Sequence, residues 1–432
     1  MTHASSSAAE TIQISQVGAL EILDSRGRPT LQVTVTLAGG PAGVAGVPSG
    51  ASTGSKEAAE RRDGDQSRYR GLGVLGAVGA VRGEIAGLLR SRGWRDLPEI
   101  DAALIELDGT PAKARLGANA IVGVSMACAR AIAAAQGREL WDWLNPPGVA
   151  PRLPVPHFNV INGGVHAPNP LDFQEFMIAP LGAGSLPEAV RAGAEVYGAL
   201  RGLLANKGYA TGLGDEGGFA PELSEPEEAL ELLTTAIGQA GYVAGPGGVA
   251  IALDPASSEF RGDDGYYTVA GQKLTSADMI ERYAQITQRF PVWLIEDGLA
   301  EDDWDGWEAL TARLGDRVQL VGDDIFVTNP AIITEAIGRG VGNAALIKVN
   351  QIGTVTETLE AMAVCRRGGY AQFVSHRSGE TTDTFIADLA TGSGCGELKT
   401  GAPARGERVA KYNRLLEIAA AEASMPYGLP AS

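Results

Sequence analysis

The sequence predicts an α/β protein: a smaller α+β domain, then a barrel in which strands alternate with helices. Three observations carry this. The 432 residues are too many for one ordinary core and suit two domains. A Pro-rich stretch, Asn145-Pro-Pro-Gly-Val-Ala-Pro151, breaks the pattern and sets the boundary, 12–148 against 149–432. Beyond it, five short apolar runs each end in a polar, chemically capable residue, 25 to 42 residues apart, a spacing that fits one strand plus one helix.

Residues 1–11 read as a polar, disordered lead. Within 12–38, strands flank the turn Asp24-Ser-Arg-Gly-Arg-Pro29. The second of them, Thr30 to Leu37, alternates with period two and is rich in β-branched residues. A loop of small residues follows, Pro48-Ser-Gly-Ala-Ser-Thr-Gly54. Helices are expected near 75–92, 98–107 and 117–136, and in the first of these Val78, Val81, Ile85, Leu88 and Leu89 share a face. In the second half, VAIALD ends at Asp254, VWLIED at Glu296 and Asp297, VQLVGDD at Asp323 and Asp324, AALIK at Lys348, and AQFVSHR at His376 and Arg377. Helix signals lie between these runs. Asn329-Pro330 is an N-cap followed by Pro at the first helical position. Trp307, Leu310 and Leu314 before Gly315, and Val355, Leu359 and Met362 before Gly368, repeat at helical spacing. Apolar strands linked by helices make a parallel sheet covered on both faces. Six or more such units favour closure into a barrel, whose chemistry sits at the C-terminal strand ends. The polar termini are therefore expected to meet at one mouth.

Composition narrows the function. The formal net charge is −17, so nucleic acid and anionic membranes are disfavoured as partners, and an anionic substrate needs local positive charge from Lys, Arg or metal. Cys128, Cys365 and Cys395 form no C-x-x-C pair. They argue against a disulfide framework and fit a reducing compartment, with packing expected for Cys128 and Cys365. The N-terminus has neither a basic nor an apolar leader region. The longest apolar stretch, Leu116 to Ala135, is interrupted by Asn119, Ser125 and Arg130 and reads as a buried helix rather than a membrane span.

Asp254, Glu296 and Asp323 each close an apolar run. Gathered at one mouth they repel one another, and a hard divalent cation such as Mg²⁺ relieves that repulsion. Any one of them alone is more simply a turn or cap acid; three at successive strand ends favour the metal. Lys348 on the same rim is either a base whose pKa falls through desolvation and nearby metal charge, or a structural ion-pair partner. Gly212-Leu-Gly-Asp-Glu-Gly-Gly-Phe-Ala-Pro221 presents Glu216 between glycines, as a general acid with a raised pKa if desolvated, or in an ordinary surface turn. Arg377 and Ser378 offer a fork and a hydroxyl for a phosphate, or a helix cap with a solvated arginine. His166, near Gln174-Glu-Phe-Met177, either touches substrate or is satisfied structurally.

EILDSRG (21–27), PSGASTG (48–54), GANAI (117–121), QEFM (174–177), GDEGG (214–218), SSEF (257–260), IEDG (295–298), VGDD (321–324), KVNQIG (348–353), SHRSGET (375–381) and KTGAP (399–403) follow one another in the order seen in enolases, and the chain resembles that family along nearly its whole length. The resemblance implies an eight-stranded TIM barrel with a ββαα(βα)6 start behind an α+β N-terminal domain. It also implies an Mg²⁺-dependent hydro-lyase that interconverts 2-phospho-D-glycerate and phosphoenolpyruvate through an enediolate, in the cytoplasm, as a homodimer or larger homo-oligomer. By the same resemblance Asp254, Glu296 and Asp323 hold a first Mg²⁺, and Ser52 holds a second that arrives with substrate. Lys348 is the base, and Glu216 is the acid with Glu175 beside it. His166, Gln174, His376 and Lys399 contact substrate, and Arg377 and Ser378 clamp the phosphate. Departures from the family pattern are Arg28 for Asn, Leu294 for Ser, Gly406 for Ser or Thr, Glu397-Leu398 for Gln-Ile, and Arg61 and Arg82 for Leu and Asn. They leave open a paralogue acting on a phosphonate analogue. A non-catalytic binding protein on the same scaffold is the remaining alternative.

Overall fold

The computed structural model describes residues 11–51 and 53–430, so the expected N-terminal lead and Ser52 lie outside or mostly outside the described residues. The first unit is a three-stranded antiparallel sheet: β1 (Ile14–Leu23), β2 (Pro29–Leu37) and β3 (Ala42–Gly46), in that order. The turn between β1 and β2 is held by Asp24, whose Oδ1 accepts the backbone N–H groups of Arg26 (2.8 Å) and Arg28 (2.9 Å). Alternation along β2 buries Leu31, Val33, Val35 and Leu37 against the helix Ala118–Ala135. That helix is long and apolar enough to cross a membrane, but 83% of its window is buried in the protein. Val78, Val81, Ile85 and Leu89 are buried as their spacing predicts. The helix carrying them contains a wider turn at Val81–Ile85.

The second unit is a closed barrel of eight strands: β4 (Val155–Asn162), β5 (Glu175–Ala179), β6 (Ala250–Asp254), β9 (Val292–Glu296), β10 (Gln319–Gly322), β11 (Ala344–Ile347), β12 (Ala371–Ser375) and β13 (Gly396–Lys399). A small hairpin, β7 (Tyr267–Val269) with β8 (Gln272–Leu274), stands outside it. The runs read as strands are strands, and their polar ends are buried at one mouth. The sheet is not wholly parallel. β5 runs antiparallel to both β4 and β6, because β4 and β5 are joined directly and the two helices Leu186–Asn206 and Pro226–Gln239 follow β5. This is the ββαα start that the resemblance implied. Reversal of β5 carries its first residue, Glu175, to the mouth, where it pairs with Asn162 and Asp254. The Asn329 N-cap is present: its Oδ1 accepts from Ala331 N (2.9 Å).

Two apolar cores result. Most buried residues pack between strands, helices and the first unit, whereas Met177, Ala252, Leu294, Val321, Ala344, Leu346 and Phe373 fill the barrel's interior. Cys128, Cys365 and Cys395 are all buried and free.

Candidate active site

Every described residue singled out from the sequence as a site residue is less than a tenth exposed. His166, Gln174, Glu175, Glu216, Lys348, His376, Arg377, Ser378 and Lys399 line one cavity at the mouth, together with Ala51 and Ser375. It is small, with room for about one water-sized sphere (≈ 10 Å³). A roomier surface hollow, ≈ 600 Å³, lies among Glu225, Glu228, Glu281 and Arg282. It is open and acidic and shares no residue with the mouth, so the converging polar groups rather than volume identify the site.

The strand order explains the contacts. β13 and β9 face each other across the barrel, and Lys399 at the end of β13 reaches across: its Nζ lies 2.8 Å from both oxygens of Glu296, 3.3 Å from Asp254 Oδ2 and 3.2 Å from Glu175 Oε2. An ammonium thus sits among carboxylate oxygens. Burial lowers the Lys399 pKa, but Glu175, Glu296 and Asp254 outweigh it and hold it well above the ordinary lysine value. Burial, then Asp254, push the Glu296 carboxyl well above its usual range.

Lys348 follows β11 and donates to Asp323 Oδ2. The expectation that its pKa falls, which counted on nearby metal charge, is corrected for the chain's own groups. Burial lowers it, but the Asp323 carboxylate in contact more than offsets this and the net direction is upward. Asp323 also accepts from Gln351 Nε2 (2.8 Å). Asp297, with φ of 41°, accepts the backbone N–H groups of Asp323 and Asp324 (2.9 Å each) and so shapes the end of β10.

Glu216 is placed by its glycine turn. Gly217 has φ of +86°, and a Cβ on Gly218 would come 2.8 Å from Asn162 Oδ1, so the turn lies flat against β4. Glu216 Oε2 accepts from Asn159 Nδ2 (3.0 Å) and lies 3.1 Å from His376 Nε2. Its expected raised pKa is also corrected. Burial raises it, but His376, His166 and Arg408 outweigh burial and hold it well below the carboxylate range. Glu175 goes the other way, raised well above that range by burial and by Glu216. The environment thus splits two neighbouring carboxyls, the arrangement that separates proton donor from acceptor. His166 Nδ1 stands 3.8 Å from an oxygen of each, with no hydrogen-bond partner. Gln174 lies at their edge, with its Oε1 buried and unpaired.

Arg377 is not solvated. Its guanidinium donates to both oxygens of Glu57 (3.0 and 3.2 Å) and to Asn350 Oδ1 (3.1 Å). Ser378 Oγ accepts from Arg26 Nη1 (3.2 Å). Sequence reasoning missed Glu57, Asn350, Asn159, Gln351 and Arg408. Asn159 and Arg408 lie in stretches that carry apolar spacing, where a polar residue at an inward position was the available signal.

Oxygen donors dominate the mouth, and a cationic Lys399 already stands among three of them, so the donor chemistry suits a hard cation such as Mg²⁺. Among the described residues, two groups of possible ligands have atoms all within 4.8 Å of one another: Asp297, Asp323 and Asp324, and His166, Glu175 and Glu216. Asp254 and Glu296 are instead gathered around Lys399.

The chain matches the family models for the enolase N-terminal domain over residues 14–144 and the enolase C-terminal TIM barrel domain over 150–426. It is 56% identical over 408 residues to the enolase of Rubrobacter xylanophilus, with 94% of each chain covered. It is 55% identical over 405 residues to that of Acidothermus cellulolyticus and 56% over 405 to that of Mycobacterium leprae, again with 94% of each chain covered. The chain belongs to the enolase family. It is accordingly a carbon–oxygen hydro-lyase with phosphopyruvate hydratase function, and the phosphonate and non-catalytic alternatives are not favoured. The departures from the usual enolase pattern agree with this, because none lines the cavity. Arg28 and Gly406 are exposed. Leu294 fills the barrel interior. Glu397 bonds Gln319 below that apolar layer, and Arg61 and Arg82 hold backbone carbonyls of the first unit.

Proposed function

We propose that the mouth carries out the reversible dehydration of 2-phospho-D-glycerate to phosphoenolpyruvate with Lys348 as base, Glu216 as acid assisted by Glu175, and Arg377 with Ser378 on the phosphate. The observation that carries this is strand order. β11, bearing Lys348, lies diametrically across the barrel from β5, bearing Glu175, so a substrate between them meets a base on one side and a carboxyl pair on the other. Asp254, Glu296 and Asp323 would hold one Mg²⁺, and Ser52, on the loop whose residue Ala51 lines the cavity, would bring a second with substrate. Bound there, Mg²⁺ supplies positive charge that stabilises the enediolate as the proton next to the carboxylate leaves.

The chain's own groups do the rest. Lys348 must shed a proton before it accepts one, and its ion pair with Asp323 opposes this, so weakening that pair activates it. The proton next to the substrate carboxylate passes to Lys348 Nζ. On the other face the proton held by Glu175 passes through Glu216, itself held ionised, to the departing hydroxide. His166, Gln174, His376 and Lys399 orient the substrate. Folding of the loop that ends at Gly54 would exclude water, with Ser55 N already donating to Glu301 (3.0 Å). We further propose that the division between units falls at 148/149, that the protein works in the cytoplasm, and that it assembles at least as a homodimer.

The test is the ultraviolet appearance of enol product from 2-phosphoglycerate with and without Mg²⁺. Mg²⁺-dependent turnover that Lys348→Ala abolishes is the expected result. Turnover that survives in Lys348→Ala would remove Lys348 from the role of base.

A further inference from the structure

Arg408, on the final helix Gly406–Ala421, is fully buried although it carries a charge. Its guanidinium donates to the carbonyl oxygens of Ser378 (2.6 Å), Arg377 (2.7 Å) and Asp215 (3.2 Å), and one Nη1–H is directed at His376 Nδ1. A guanidinium has donors and no acceptor, and it does not deprotonate in proteins. The ring nitrogen facing it therefore has to be the lone-pair nitrogen. Neutral imidazole carries one N–H, which must then be on Nε2. That nitrogen is 3.1 Å from Glu216 Oε2 but off the line of a straight hydrogen bond, and His376 lines the cavity.

We propose that Arg408 is a positioning residue that fixes His376 in its neutral Nε2–H tautomer, so that His376 presents a hydrogen-bond donor to the substrate space and takes no part in proton relay. Protonating Nδ1 would set a second cation against the guanidinium. The other charged groups around the ring are Glu216, which would favour that proton, and Lys399, which opposes it. Proton traffic on this side of the cavity is then confined to Glu216, Glu175 and His166. The inference rests on the reading that this cavity takes the substrate, but its central measurement does not depend on turnover.

The sequence has 4 histidines, so ring ¹⁵N spectra of the full-length protein labelled at histidine are sparse enough to assign with a His376→Asn variant. The expected result is a His376 signal with an unprotonated Nδ1 and a protonated Nε2, unchanged from pH 5.5 to 9. A protonated Nδ1 anywhere in that range overturns the proposal. In Arg408→Met, which removes the donor and keeps an apolar stem, the ring should lose its single tautomer and begin to titrate. The pH profile of kcat should gain a limb on the acid side that the parent lacks. Lower thermal stability with an unchanged ring signature would make Arg408 merely structural and overturn the proposal. Should Arg408→Met not fold, the parent spectrum alone still decides the tautomer. Turnover that survives in Lys348→Ala, beside the expected His376 signature, would fault the assignment of the site and leave the tautomer standing.

Discussion

The two ends of the barrel treat buried charge in opposite ways. At the mouth, carboxylates meet lysines and arginines: Lys399 among Glu175, Asp254 and Glu296, Lys348 on Asp323, Arg377 on Glu57. On the other side of the apolar layer, near the strands' N-terminal ends, Glu397 on β13 faces, among the described residues, the amide of Gln319 (2.8 and 3.1 Å) and, at 4.0 Å, the ring of His157 on β4. Burial raises Glu397 to about 8 and lowers His157 to about 3. The floor is thus uncharged at neutral pH, while at the mouth Lys348, Lys399 and Asp323 stay ionised beside opposite charge. Buried groups stay ionised only where opposite charge is in reach, and a site that handles a charged substrate maintains that condition.

The comparison breaks most sharply at Lys348. Lys348→Ala should lower kcat by about 10²–10⁴-fold or more, the usual contribution of a positioned base, in the enol absorbance assay. Next comes the paired charge itself. Lys399→Met leaves three buried acids without their cation, and without Mg²⁺ should cost about 3–5 kcal/mol in denaturant melts. Adding Mg²⁺ should return much of that loss by binding the folded state. A variant as stable as the parent without Mg²⁺ would show that the acids do not need the ammonium.

The floor predicts a smaller, pH-shaped effect. The Glu397 pKa is raised on folding, so its stabilising contribution is full below about 4.5, the unfolded value, and is lost as pH rises through about 8. Glu397→Gln should therefore change stability little near pH 4 and raise it by up to about 4 kcal/mol near pH 8, an upper bound at about 1.4 kcal/mol per pKa unit. His157 works with the opposite sign: its pKa is lowered on folding, so its contribution is present above about 6.5 and is lost as pH falls through about 3. Equal gains from Glu397→Gln at pH 4 and pH 8 would mean that the carboxyl is ionised throughout. The smallest effect belongs to the surface. Arg28→Asn, at an exposed side chain, should stay within about 0.5 kcal/mol in stability and leave KM unchanged. A shifted KM would tie that departure to the substrate after all.

Much of the site was legible because chemistry in barrels collects at strand ends. Asp254, Glu296, Asp323, Lys348 and His376 each close an apolar run, and that pattern places them together without coordinates. Glu175 was legible only through family resemblance: it begins its strand, and the reversal of β5 brings it to the mouth. Glu57 was not legible, and Arg408 only as a polar residue at an inward position of its helix. Each comes from a segment distant in the chain and reaches the site by a contact spanning 320 or 32 residues. The alternation of β2 was read correctly because it is a local property of the chain.

The sequence by itself determined which segments become strands and helices, which residues end the strands, and the family to which the chain belongs. Hydrophobic period, turn chemistry and motif order are all local or linear information. Only the tertiary structure decided the protonation pattern: Lys348 raised rather than lowered, Glu216 and Glu175 split in opposite directions, Glu397 neutral beneath the apolar layer. A pKa depends on burial and on charges a few ångströms away, and those neighbours are set by folding, not by position along the chain.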